Sequence, residues 1–355
     1  MARILIKNGR VWDGERFRSV DVLTEGDKIA KMESGITDTA DFVYDASGKI
    51  VSAGLVDTHV HMRGISSEEF GIHAEMSCFP FGVTAAADAG GEYGNGALLD
   101  SFMLKGVVFA PVDIKDNHAD FTNTEKMLAG YGDRMVGLKV YFDTQVSDVR
   151  DLTPLRETVA FAEAKGLAVM VHSSNPSVSM RELIGTLRRG DLLTHAYHGG
   201  KNNAAEDDFE CLLTARARGV IIDAGFAGHV HTDFGVLRAA FGRGAFPDTI
   251  STDITRRSAY TRGGRYGMTA CMSLARTFGM REEDIFRVVT SNPAKALGQE
   301  STWGYAKVGR TADLAVFDYA DERLDWTDKA GNRIEIQQGY RCVLTVSDGQ
   351  VVYRD

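Results

Sequence analysis

Hydrophobic and polar positions change rhythm twice along this chain. From residue 1 to about 50 they alternate: ARILIKNGRVWDG, SVDVLTEGDKIAKME and DFVYDASGKIV each read as short strands joined by turns. Asn8-Gly9 and Asp13-Gly14 are dipeptides that tight hairpins favour. The last stretch has the same texture. ADLAVFDY and RIEIQQGYRCVLTVSDGQVVYRD alternate, with Asp348-Gly349 as the turn. Chain termini often lie close together, so the two β pieces are expected to pack as one domain.

Between them, apolar β-rich runs alternate with amphipathic segments of helical length. The runs are GLVDTHVH, then 82–90, 106–114, 135–143, 167–174, 191–198, 219–225 and 248–255. Helices are predicted over 153–166, 207–219 and 268–279, among others, with Gly166 and Gly219 where a helix-terminating glycine belongs. Strands alternating with helices in this way predict an α/β fold, a (β/α)8 TIM-type barrel. The expected organisation is residues 1–52 and 298–355 as the two parts of a small β-sandwich domain, with the barrel over 53–297.

Length agrees: 355 residues, 44% of them hydrophobic, suffice for such a barrel plus an appendage. The net charge of −9, without a basic run, argues against nucleic acid as a partner. No apolar run approaches the roughly 18 residues that span a bilayer, so no membrane partner is expected. The N-terminus reads as a strand and not as a signal peptide. Cys78, Cys211, Cys271 and Cys342 are scattered, which fits buried free thiols in a reducing cytoplasm and argues against thiolate zinc. A homo-oligomer is the default expectation.

In a (β/α)8 barrel the chemistry sits at the C-terminal ends of the strands. The first strand ends in His59-Val60-His61. Residues two apart on a strand share a face, so the two imidazoles would project the same way from positions about 6–7 Å apart along the chain, and one divalent metal can take both. An HxH pair also arises by chance on loops, but the other strand ends add to it. Lys139 lies in the apolar run GLKVYF, His172 ends the fifth strand, His195 the sixth, and Asp253 lies on the eighth. Such donors suit Zn²⁺, Mn²⁺, Co²⁺ or Fe²⁺. A desolvated lysine has a depressed pKa and is readily neutral. A neutral amine adds CO₂ to give a carbamate, a carboxylate on a long arm that can bridge two metals. An isolated lysine would more simply snorkel or pair with an acid.

These motifs resemble the amidohydrolase superfamily, in its branch with dihydroorotases, hydantoinases and related N-acyl deacetylases. The resemblance runs through AGLVDTHVH, LKVYF, VMVHSSN, LLTHAYHGG, STDIT and SNPAKALG…GRTADLAVFD, over essentially the whole chain. It implies a binuclear centre, with zinc as the expected metal. His59 and His61 would bind the more buried metal with Asp253, carboxylated Lys139 would bridge, and His172 and His195 would bind the second. Two metals would bring a bridging water to a near-neutral pKa, giving hydroxide. Asp253 would take its proton and pass it to the leaving group.

Arg63, two residues after His61, corresponds to an arginine that holds the substrate carboxylate in dihydroorotases. HMRGIS departs from the HxHxRxPG form found there, which puts dihydroorotate itself in doubt. Asn175, Tyr197 and His198 follow strands five and six, and Arg257 follows strand eight. All four are candidate substrate contacts, as is His229 of a second HxH, His229-Val230-His231. This second pair lies on a loop, and ligation is its minority reading. His118 is placed where it could reach the site from the third-strand loop. The expected function is hydrolysis of an amide, N-acetyl above all, or a related ester of a small carboxylate-bearing molecule. The alternatives are a cyclic amidohydrolase of dihydroorotase or hydantoinase type, and a non-catalytic homologue.

Overall fold

The computed structural model describes residues 2–62, 71–90, 99–228, 230–261 and 265–355. At its centre is a seven-stranded sheet: Leu55–Val60, Val83–Ala89, Lys105–Pro111, Met135–Tyr141, Ala168–His172, Leu192–Thr194 and Ile221–Ile222. Each strand pairs in parallel with its neighbour in the chain. Parallel neighbours need crossover connections, and helices supply most of them; the strands are buried nearly throughout. Val56, Ala87, Phe109, Met170 and Leu192 share one buried cluster.

The helices begin and end where local chemistry dictates. Thr153–Lys165 opens with Pro154 in its first turn, and the Asp151 carboxylate accepts from the Thr153 amide at 2.7 Å. It buries Leu155, Thr158 and Ala162 and stops at Gly166, whose φ of +68° is left-handed. The segment expected as one helix over 207–219 is divided. A 3₁₀ turn, Ala204–Asp207, is followed by the α-helix Glu210–Arg218, with left-handed φ at Asp208 and Phe209 between them.

The eighth predicted strand, 248–255, is not a regular strand. It makes isolated parallel bridges, Asp223 with Thr249 and Val60 with Ile254, to the last and first strands of the sheet. Its backbone also bonds both edges: Phe226 N to Ser251 O at 3.2 Å, and Asp253 N to His59 O at 2.8 Å. The cause lies in DTISTDIT itself. Its hydroxyls bond buried carboxylates on neighbouring elements, and Asp253 adopts a left-handed φ of +46° that breaks the extended run.

The chain ends meet in two further sheets. One has six strands, in the order Gln350–Arg354, Arg333–Ser347, Leu314–Thr327, Ile50–Ala53, Arg10–Trp12 and Phe17–Ser19. The other has four: Lys28–Glu33, Asp21–Glu25, Arg3–Lys7 and Phe42–Asp45. Ile4, Val22, Val51, Leu314, Val316 and Leu344 form a core common to both. Trp12 ties the six-stranded sheet to the helical layer, donating its indole N–H to Thr290 Oγ1 at 3.0 Å. All four cysteines are buried, and none forms a disulfide among the described residues. Among the described residues no helix is long and apolar enough to cross a membrane.

Candidate metal centre and substrate cavity

The strand ends converge on Asp253. Its Oδ1 lies 2.9 Å from His61 Nε2 and 3.2 Å from His59 Nε2. Its Oδ2 lies 3.9 Å from His195 Nε2 and 3.8 Å from His231 Nε2. Lys139 Nζ is 3.0 Å from His59 Nε2. Two triads of donors result, His59–His61–Asp253 and His172–His195–His231, with the ligand atoms of each within 4.8 Å of one another. The six expected ligands are therefore brought together. His231, set aside in the sequence reading with its neighbour His229, joins them.

Partners behind the imidazoles fix which nitrogen is available. His195 Nδ1 is 2.7 Å from the Gly225 carbonyl, which can only accept, so Nδ1 carries the proton. Its Nε2 is left with a lone pair and no hydrogen-bond partner in the buried centre. Thr194 Oγ1 donates to Asp223 Oδ2 at 2.7 Å and lies 3.2 Å from His59 Nδ1. The hydroxyl therefore accepts from Nδ1–H, and His59 Nε2 faces Asp253. His172 Nε2 lies 3.3 Å from Asp143 Oδ2, so it donates there and keeps its lone pair on Nδ1. Such outer partners orient metal-binding histidines.

Beneath the centre, two buried aspartates tie the segment 248–255 to the central sheet. Asp223 accepts from the hydroxyls of Thr58, Thr194, Thr249 and Ser251 at 2.6–3.2 Å. Asp57 accepts from the Thr252 hydroxyl at 2.6 Å and from the amides of Thr252 and His59. Burial pushes the Asp57 carboxyl up to about 7, against these bonds, and raises Asp223 as well.

Burial also governs the charges in the centre. It pulls the Lys139 ammonium down to about 8, although the Asp253 charge opposes it. Burial lowers the pKa of His59, His172, His195 and His231, which favours the neutral, ligand-competent imidazole. Asp253 differs. Burial raises its pKa, but His59 and the hydrogen bond from His61 outweigh that and hold the carboxyl well below its ordinary value. The donor set thus joins imidazoles at His59, His172, His195 and His231 whose protonated form burial disfavours, a carboxylate with a lowered pKa and an amine whose pKa burial also lowers, which suits divalent metal.

A cavity of about 980 Å³ opens onto this centre, lined in part by Tyr141, Asp143, His172, His231, Asp253, Arg257 and Lys329. Arg257, exposed on the helix Arg256–Thr261, lies on its wall. Other expected contacts do not. Tyr197 is buried, with its hydroxyl donating to the Ala245 carbonyl at 2.9 Å and its ring against Phe241. Asn175 donates to Asp143 Oδ2 at 3.2 Å and so positions the partner of His172. His198 is buried, accepts from the Gly200 amide at 3.1 Å, and is lowered to about 3 by burial. His118 is exposed and engaged with Glu157 at 2.7 Å. Arg63 and His229 lie outside the described residues. Sequence reasoning missed Asp143 and Lys329. Asp143 ends the fourth apolar run, a position where it was findable. Lys329 belongs to the C-terminal hairpin, and no local signal joins it to the central sheet.

Comparison with known proteins agrees with this geometry. The chain is 28% identical to a deacetylase of Agrobacterium fabrum over 345 residues, covering 90% of this chain and 83% of that one. It is 26% identical to a deacetylase of Enterococcus faecalis over 371 residues, covering 98% of each. The crystal structure of a dihydroorotase superposes with a TM-score of 0.86 at 25% identity, covering 100% of this chain and 98% of the other. A family model described as the amidohydrolase family matches residues 50–352, and this chain belongs to that family.

Proposed function

We propose that this amidohydrolase removes an N-acetyl group, or cleaves a related ester, from a small carboxylate-bearing substrate at a binuclear metal centre. The observation that carries the proposal is the meeting of two donor triads at Asp253, with the amine of Lys139 3.0 Å from His59 Nε2. His59, His61 and Asp253 would hold one divalent ion, zinc by the donor chemistry, and His172 and His195 the other. Lys139 would lie between them as a carbamate: its neutral Nζ attacks the carbon of CO₂ and gives up one proton. Metals held there would supply a water acidified to near neutrality and a Lewis acid for the substrate carbonyl.

The chain's own groups do the rest. Asp253, ionised and within 4 Å of four imidazoles, takes the proton released when water attacks and returns it to the departing amine. Asp143 and Gly225 keep His172 and His195 in their ligand tautomers. Arg257, with Arg63, offers a guanidinium for the substrate carboxylate. The two deacetylase relatives support the N-acetyl reading. Cyclic amide hydrolysis is the second reading, favoured by the overlay on a dihydroorotase over the whole chain.

In this reading the seven parallel strands and 248–255 form an eight-stranded barrel over 53–297, and residues 1–52 and 298–355 form a β-sandwich. The protein would work in the cytoplasm as a homo-oligomer on a small molecule. The test is metal stoichiometry on protein purified with zinc and bicarbonate, beside Lys139→Ala, followed by a panel of N-acetyl amino acids and cyclic ureides. Two metals per chain in the parent and a loss in the variant are expected. One metal, indifferent to Lys139, would overturn the bridged centre. Turnover of cyclic ureides alone would replace the deacetylase reading with the second one.

A further inference from the structure

The strands Leu314–Thr327 and Arg333–Ser347 form a long antiparallel hairpin of the six-stranded sheet, ending at the pair Thr327–Arg333. Hairpin tips are ordinarily among the loosest parts of a fold. This one is fastened to the loop that carries His231. Trp326 is buried, donates its indole N–H to the Gly228 carbonyl at 2.9 Å, and packs edge-on against Phe226 and Tyr266. Asp328, 2% exposed, accepts from the Phe234 amide at 2.9 Å and from the Asn332 amide at 2.8 Å. The Lys329 amide donates to the Thr232 carbonyl at 3.0 Å. The backbone of Lys329 is thereby fixed, while its side chain is exposed and stands on the wall of the cavity that holds His172, His231 and Asp253.

The other charges on this wall have partners. Lys115 is paired with Asp120, and Asp148 with Arg150. Asp143 accepts from His172 and Asn175, and Asp113 accepts from Asn123 at 2.8 Å. Arg257 is also engaged. The ammonium of Lys329 has no ion pair among the described residues, while Lys115, Asp148, Asp143 and Asp113 on the same wall are each engaged with a neighbour.

We propose that Lys329, carried from the C-terminal hairpin onto the cavity wall, is an anchor for the carboxylate of the substrate. This rests on the reading of the cavity as the hydrolase's substrate site. The hairpin is then a specificity element, and the pinning by Trp326 and Asp328 fixes the backbone from which the lysine stem reaches along the wall of the cavity that His172, His231 and Asp253 also line. A lysine suits the task because its ammonium is a compact charge on a flexible stem that follows small shifts of the bound acid. The loop bearing His231 is fastened to the same tip, so the backbones that carry the lysine and the imidazole are tied together.

The test uses the full-length zinc-loaded enzyme as parent, Lys329→Met and Lys329→Arg. The probes are two pairs that differ in the carboxylate: N-acetylalanine against N-acetylalaninamide, and dihydroorotate against dihydrouracil. The Met variant is expected to lower the preference for the charged member of the hydrolysed pair by about fivefold or more, through KM and not kcat, with Arg restoring most of it. An unchanged preference overturns the proposal even if the enzyme is a deacetylase. If only dihydroorotate is hydrolysed and its preference falls, Lys329 stands and the deacetylase reading fails. If neither pair is hydrolysed, calorimetric binding of the same four compounds decides. A preference for the acids that Lys329→Met does not reduce, or no preference at all, overturns it.

Discussion

At position 225 the backbone has a φ of +50°, and a Cβ built there would collide with Thr194 Oγ1 and His195 Nδ1. Its carbonyl is also the acceptor that fixes the His195 tautomer. Gly225→Ala is therefore expected to cost about 1–2 kcal/mol for the left-handed backbone and to push His195 out of line. Metal content per chain should fall while far-UV circular dichroism stays native. Full metal content in a folded variant would show that His195 does not depend on this glycine. At the same scale, His59, His61, His172, His195 and Asp253 were legible because strand periodicity places them at predicted strand ends. His231 was not, since a loop has no periodicity to say which of two histidines points inward. Tyr197 and Asn175 were misread for the related reason that following a strand does not mean facing its cavity.

Among the elements, the helix Thr153–Lys165 carries its start signal one residue early, in Asp151. Hydrogen bonds from Thr153 and Asn117 hold this carboxyl at about 2, below its ordinary value. A depressed folded pKa means the carboxylate stabilises fully above the unfolded value of about 4. That contribution is lost as pH falls through 2. Asp151→Asn is therefore expected to melt below the parent at pH 6, with the gap closing near pH 2. A gap that persists unchanged at pH 2 would show that charge is not what Asp151 contributes. The stretch 248–255 marks the limit of pattern reading among the elements. Its apolar positions match a strand, yet six of its eight residues carry a hydroxyl or carboxyl group, and the hydroxyls of Thr249, Ser251 and Thr252 are committed to bonds with the distant carboxylates of Asp223 and Asp57.

At the scale of the molecule, candidate ligands from widely separated strand ends meet at one carboxylate, so a metal held there would link most of the central sheet. A metal at a thousandfold its Kd stabilises the folded state by about 4 kcal/mol. Removing it with a chelator is expected to lower Tm, and zinc should restore it. An unchanged Tm at zero metal content would mean that the sheet holds its shape without the centre. The two chain ends act at this scale as well. Their strands pair directly, Leu314 beside Ala53 and Phe317 beside Ile50, so the last strands cannot form their sheet without the first.

The sequence by itself determined the alternation of strand and helix, the β texture of both termini, and which strand ends carry histidine, lysine and aspartate. Those features follow from local periodicity and from the cost of burying a charged amine among apolar side chains. Only the tertiary structure decided the tautomers, the inclusion of His231, the irregular path of 248–255 and the arrival of Lys329 at the cavity. Each of these depends on a partner more than 20 residues distant in the chain, as His195 on Gly225 and Lys329 on Thr232. Contacts of that range come from folding and leave no periodic trace in the chain.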